Sequence, residues 1–126
     1  HLVDALIEKG HRVRILDSLV EQVHVGKVPE YLNRNAEFIK ADVCDAEAVG
    51  RALDGIDIVF HQASAVGVVQ SMYEIPRFVK ANDYGTAVLL DEILKRRDKI
   101  RKLIAASSMS ISMPCVCSSW RSRLPA

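Results

Sequence analysis

IDIVFHQASAVGVVQS, residues 56–71, decides how this chain is read. It opens on an apolar run, Ile56, Ile58, Val59 and Phe60, of the kind that forms a buried strand. It then turns into small and polar residues, His61, Gln62, Ala63, Ser64 and Ala65. Small side chains past a strand end let a ligand approach the backbone, and open α/β sheets bind ligands at the carboxyl ends of their strands. Taken alone, the stretch reads as an ordinary strand-to-loop exit. Its neighbours change that reading.

Upstream, residues 2–9 place Leu2, Val3, Leu6 and Ile7 on one helical face, with Gly10 in the position that ends a helix. The first residue is His1, no helix-capping residue precedes this segment, and the chain reads as cut at its start. Residues 12–17 alternate basic and apolar side chains and finish on Asp17, a strand with an acid at its carboxyl end. Residues 18–35 have no clear period, and Gly26, Pro29, Asn33 and Asn35 suggest loop with a short helical turn. Residues 37–41 form a second strand running into Asp42 and Val43. Asp45 suits the N-cap of a helix to Leu53, with Val49, Ala52 and Leu53 inward and Gly55 as the stop.

Downstream, Pro76 stands near the start of a long helix reaching about Arg97. Its inner face is Phe78, Asn82, Gly85, Thr86, Leu89 and Ile93, and the opposite face carries Glu92, Lys95 and Arg96 as solvated charge. Asn82 is thus a polar group on a buried face and requires a hydrogen-bond partner, from a neighbouring loop or from a ligand. Residues 102–106 are a fourth strand, ending in Ser107 and Ser108. The alternation of strands with helical or loop segments implies a parallel sheet with helices on its faces. Such a sheet collects Asp17, Asp42, residues 61–64 and the two serines along one edge, which makes a ligand cleft the better reading.

Composition sets the outer bounds. The chain has 126 residues, 49% hydrophobic and 26% charged, as one ordinary globular domain would. A net charge of +1 gives no argument for a nucleic-acid partner, and no apolar run approaches the length of a membrane span. Cys44, Cys115 and Cys117 are odd in number and lack metal-type spacing, so neither a disulfide framework nor a zinc site follows. A reducing cytoplasm is the default compartment.

The stretches HLVDALIEKGHRVRILDSL, ADVCD, DIVFHQASAVGVVQS, ANDYGT and KLIAASSMSI, in this order and spacing across residues 1–111, resemble the extended short-chain dehydrogenase/reductase family. Within it they are most similar to NAD-dependent nucleotide-sugar epimerases and dehydratases. The resemblance implies a Rossmann-type doubly wound sheet whose first strand and glycine-rich turn are absent from this sequence. Asp17 stands about 20 residues beyond where those glycines would end, the spacing of the acid that binds the adenosine ribose, and a carboxylate there favours NAD over NADP. The resemblance further implies that Asp42 and Val43 contact adenine, and that Gln62, Ala63 and Ser64 lie along the nicotinamide ribose and pyrophosphate. It makes Asn82 the asparagine of an Asn-x-x-Gly-Thr pattern that serves the cofactor site. Ser108 becomes the serine that hydrogen-bonds the substrate hydroxyl, with Ser107 beside it near the nicotinamide. Nucleotide-sugars are the implied substrates, and dimerisation through the long helices is common among relatives.

The chain also departs from the family pattern. Ser112 and Met113 stand where Tyr-Gly is usual, and residues 112–126 form a divergent tail of the kind a reading-frame slip or splice end produces. Tyr31, Tyr73 and Tyr84 are not followed by lysine four residues later, so the general acid/base pair Tyr-x-x-x-Lys is not present. The expectation is a fragment without turnover of its own and with weak NAD affinity. Two other readings share these residues: a fragment of an NAD(P)-dependent reductase or hydroxysteroid-type dehydrogenase, and a non-catalytic dinucleotide-binding module. Without its central first strand, the sheet has two apolar edges with unpaired backbone groups, and the chain is expected to be poorly stable or to close the gap by non-native pairing.

Overall fold

The computed structural model describes residues 1–24 and 27–106. Helix α1, Leu2–Glu8, ends as its sequence dictates. Gly10 takes φ +81°, its N–H donates to the carbonyl of Ile7 at 2.9 Å, and the N–H of His11 donates to that of Leu6 at 3.0 Å. This pair of bonds closes the last turn, and the left-handed backbone explains the glycine. Strand β1, Arg14–Asp17, leads to a single helical turn α2, Glu21–His24, and then to strand β2, Glu37–Lys40. Helix α3, Ala46–Leu53, is capped by Asp45, whose carboxylate accepts from the Ala48 N–H at 3.0 Å. Such a cap contributes about 1 kcal/mol.

Strand β3 is Ile58–His61. Helices α4, Val68–Tyr73, and α5, Ile75–Val79, follow it. A π-helical turn, Lys80–Tyr84, then joins α5 directly to α6, Gly85–Leu94, and strand β4 is Lys102–Ala105. The long helix expected from Pro76 is therefore α5 and α6 with a π turn between them, and α4 is an additional helix that the sequence pattern did not announce.

Two parallel pairs of strands result. β1 pairs with β2 from Arg14–Glu37 to Asp17–Lys40, and β3 with β4 from Ile58–Lys102 to His61–Ala105. Among the described residues β1 and β3 are not paired, so the sheet is open rather than closed by non-native bonds. Both halves nonetheless share one core. Val49 and Leu53 of α3, Val88 and Leu89 of α6, and Ile100 form its centre, with Leu16 of β1, Val59 of β3 and Leu103 of β4 packed on it. Each fully buried aliphatic side chain contributes about 1.5–3 kcal/mol, so these helices hold together the strands that backbone bonding does not. Arg14 adds a polar tie, donating from Nη1 to the carbonyls of Ala52 (2.9 Å) and Asp54 (2.8 Å), just before β3 begins. The architecture is a doubly wound α/β layer without its central first strand, as expected from the order 3-2-1-4-5-6.

Three expectations need correction. The apolar run of β3 reads as a buried strand, but Ile58 and Phe60 are each at least 37% exposed, because α3 and α6 cover one sheet face only. Ala52 is half-buried, whereas Ala48 and Gly50 join Val49 and Leu53 in the interior. Glu92 is not solvated: it is 7% exposed at the α3–α6 contact and pairs with Arg96 (2.6 Å) and Lys95 (2.6 Å). Gly50 makes that possible, since a Cβ there would lie 3.0 Å from Glu92 Oε2 and 3.1 Å from Arg96 Nη2.

Candidate functional site

Each strand end adopts a local structure written in its sequence. Past β1, Asp17 Oδ1 accepts from the Leu19 N–H at 2.7 Å, and Leu19 takes φ +52°. This carboxylate-closed turn leaves Asp17 Oδ2 without a partner among the described residues. Past β2, Asp42 Oδ1 accepts from the Cys44 N–H at 2.9 Å in a similar turn. Asp42 is exposed and Val43 half-buried. Past β3, Gln62, Ala63 and Ser64 are all exposed. The N–H of Ala106 donates to the His61 carbonyl at 3.0 Å, carrying the β3–β4 pairing one step beyond the strands. Ser107 and Ser108 lie outside the described residues.

The π turn brings two of these ends together. Asn82, in its middle, accepts from the Ala65 N–H at 2.7 Å and donates to the Ala65 carbonyl at 3.1 Å. Its need for a partner is thus met by the loop after β3. Gly85, directly after the turn, is buried against the loop after β2: a Cβ on it would lie 2.5 Å from Val43 Cγ1 and 3.5 Å from Cys44 Sγ. The Cys44 thiol donates to the Lys80 carbonyl at 3.3 Å. Burial, reinforced by Asp42, pushes that thiol up, which keeps it protonated and makes it a donor rather than a nucleophile. Glycine and asparagine at positions 85 and 82 are therefore what allow the helix to touch both strand-end loops at once. π turns recur at functional sites because they widen the helix locally and shift its side-chain register.

Two residues of this cluster carried no assigned role in the sequence reading. His61 Nε2 stands 2.9 Å from Thr86 Oγ1, and the Thr86 hydroxyl donates to the carbonyl of Asn82 at 2.5 Å. Burial lowers the His61 pKa, favouring the neutral ring. The signal available in sequence was a strand-end histidine plus a threonine four residues after Asn82 on one helical face, and nothing in the pattern announced that they meet.

The arrangement is an edge with an acid at the end of β1, an acid and an apolar side chain at the end of β2, and a small exposed segment at the end of β3. That set can accept from hydroxyl and amine donors, pack on a flat ring, and admit a ligand close to backbone. Among the described residues no cluster of three or more His, Cys, Asp or Glu side chains could hold a metal ion. No helix among them is long and apolar enough to cross a membrane.

Comparison with known proteins gives a family-level match. The model of the NAD dependent epimerase/dehydratase family matches residues 1–113. Among solved structures, UDP-glucose 4-epimerase of Thermotoga maritima, determined with UDP-glucose, is 37% identical with a TM-score of 0.75, over 86% of this chain and 33% of that one. UDP-glucose 4-epimerase of Thermus thermophilus, determined in complex with NAD, is 30% identical with a TM-score of 0.69, over 82% of this chain and 32% of that one. Among curated proteins, dTDP-L-rhamnose 4-epimerase of Burkholderia thailandensis is 32% identical over 111 residues, 86% of this chain and 31% of its own length. The chain thus spans about a third of the length of the relatives it matches.

Proposed function

Because the chain belongs to the NAD dependent epimerase/dehydratase family, we propose that it forms part of the NAD cradle of an enzyme acting on a nucleotide-sugar. The observation that carries this reading is the convergence of the strand-end loops after β2 and β3 on the π turn, through Val43 against Gly85 and Ala65 against Asn82. The residues suit a dinucleotide. Asp17 keeps Oδ2 available for the adenosine ribose hydroxyls, and its negative charge opposes a 2′-phosphate. Asp42 offers an acceptor to the adenine amine while Val43 supplies an apolar wall. Gln62, Ala63 and Ser64 leave room for the nicotinamide ribose and pyrophosphate. Asn82 serves the site by fixing Ala65, and with it the segment that starts at Gln62.

When bound, NAD would supply reversible hydride acceptance from a sugar carbon, the step that epimerases and dehydratases share. Ser107 and Ser108 come after Ala106 in the sequence, and we assign Ser108 to orient the sugar hydroxyl and Ser107 to the nicotinamide side. The general acid/base pair Tyr-x-x-x-Lys is not in these 126 residues, so we expect no turnover from them, and without a glycine-rich turn for the pyrophosphate we expect weak NAD affinity.

Calorimetric titration of the chain with NAD and with NADP tests the reading. We expect NAD to bind more tightly, and the preference to shrink by about fivefold or more in Asp17→Asn, given about 1–4 kcal/mol for two charges about 4 Å apart at or near a surface. The asparagine keeps a carbonyl oxygen for the Leu19 N–H, so the turn survives. An NAD:NADP ratio unchanged by Asp17→Asn, or no binding of either, sinks the proposal.

A further inference from the structure

We propose that His61 and Thr86 are positioning residues, which set the loop after β3 through a chain of hydrogen bonds that passes by way of Asn82 and ends on the backbone of Ala65. The relay runs from the His61 ring to the Thr86 hydroxyl (2.9 Å), from that hydroxyl to the Asn82 carbonyl, and from the Asn82 carboxamide to both polar atoms of Ala65. The inference rests on the cofactor reading for its functional meaning, since Gln62, Ala63 and Ser64 lie between the relay's two ends.

Donor bookkeeping fixes the direction of every bond. A threonine hydroxyl has one hydrogen. Thr86 gives it to the Asn82 carbonyl, so toward His61 its oxygen can only accept. His61 Nε2 therefore bears the hydrogen, and the relay has one polarity from strand to helix. His61 has a second attachment, its carbonyl accepting the Ala106 N–H at the end of β4. One residue thus ties together the ends of β3 and β4 and the helix carrying Asn82. Residues 62–64 are exposed and make no hydrogen bond to other described residues. Among the described residues their hydrogen-bonded anchors are His61 before them and Ala65 after them. Thr86 bears on both, holding the His61 ring directly and Ala65 by way of Asn82, while the His61 backbone stays in the β3–β4 ladder. Loosening Thr86 therefore frees the His61 ring and weakens the bridge to Ala65.

The test removes the hydroxyl without changing the side-chain shape. In Thr86→Val, we expect amide hydrogen exchange at Ala65 to rise about fivefold to tenfold, the opening expected from loss of one net hydrogen bond. In Thr86→Ser, which restores the hydroxyl, exchange should return toward the original rate. A spectroscopic signature accompanies it. The Nε2-bound proton of His61 should be visible by NMR as a slowly exchanging imidazole signal in the unsubstituted chain and in Thr86→Ser, and be lost in Thr86→Val. Unchanged Ala65 exchange in a folded Thr86→Val, or failure of serine to restore it, overturns the proposal. Should the valine variant not fold, absence of a protected His61 Nε2 proton in the unsubstituted chain overturns it equally. None of these readouts uses a dinucleotide. Failure to bind NAD would sink the functional reading and leave the relay standing, whereas an unprotected Ala65 would do the reverse.

Discussion

Replacing Gly85 by alanine sets two well-scaled effects against each other. Alanine in a helix is favoured over glycine by about 1 kcal/mol. At this position, however, the added methyl would sit 2.5 Å from Val43 Cγ1, about 1 Å inside an ordinary carbon–carbon contact. Val43 cannot step aside cheaply. Its χ1 is stiff and its side chain packs on the core formed by α3 and α6. Overpacking of this kind costs about 1–3 kcal/mol, and the stiffness of the neighbour argues for the upper half, about 2–3. The net expectation for Gly85→Ala is a loss of about 1–2 kcal/mol. The cause is isolated by a second substitution: Val43→Ala removes the offending Cγ1. In that background Gly85→Ala should be neutral or stabilising by up to about 1 kcal/mol, giving a coupling of about 1–3 kcal/mol between the two positions. Urea denaturation followed by far-UV circular dichroism, on the four chains of the cycle, measures it. If Gly85→Ala has the same effect in both backgrounds, the close approach of helix and strand-end loop is not what glycine is there for, and the account of the site's assembly fails with it.

The Glu92 carboxyl is held below its ordinary value of 4.5 by its hydrogen bonds with Lys95 and then Arg96. An acid depressed by folding contributes stability above its unfolded pKa and loses it as pH falls through the folded value. Urea midpoints should therefore drop below about pH 4.5 more steeply in the original chain than in Glu92→Gln; identical acid limbs would remove Glu92 from the account. Leu19 combines φ +52° with 5% exposure. Leu19→Gly relieves about 1–2 kcal/mol of backbone strain but forfeits a buried side chain worth about 2–5. A net loss of stability is expected in thermal melts, and a gain would show that the strain dominates.

Most of the architecture was legible because the local signals were strong and agreed with one another. Gly10 ends α1 and Asp45 caps α3 as their types require, and the strands leading to Asp17, Asp42 and His61 could be read from alternation and short apolar runs. What escaped depends on tertiary contact. Glu92 looks like a solvated charge on its own helix, and only the absence of a side chain at Gly50, 42 residues earlier in the chain, lets it lie between α3 and α6 with Arg96. The π turn was invisible because one extra residue in a helical turn leaves composition unchanged and shifts only the register. Ile58 and Phe60 share the apolar character of Val59, and sequence has no means of saying that only one face of their sheet is covered. The candidate site divides the same way. Asp17, Asp42 and the small residues after β3 were readable as types at strand ends, whereas the meeting of Thr86 with His61, or of Gly85 with Val43, is a property of packing.

The contact between Asn82 and Ala65 has a chemical meaning beyond its two distances. A carboxamide presents one acceptor and one donor in a plane, as a peptide group does. Asn82 thus acts as one residue of a neighbouring strand would, offering Ala65 the same reciprocal pair that a sheet ladder would. No other side chain of that length can do so: aspartate would turn an acceptor toward the Ala65 carbonyl, and serine is too short to reach both atoms. A surrogate peptide group also behaves differently from a strand. It can release a single residue without unzipping its neighbours, so the bridge to Ala65 can break and re-form while the pairing of β3 with β4 stays intact.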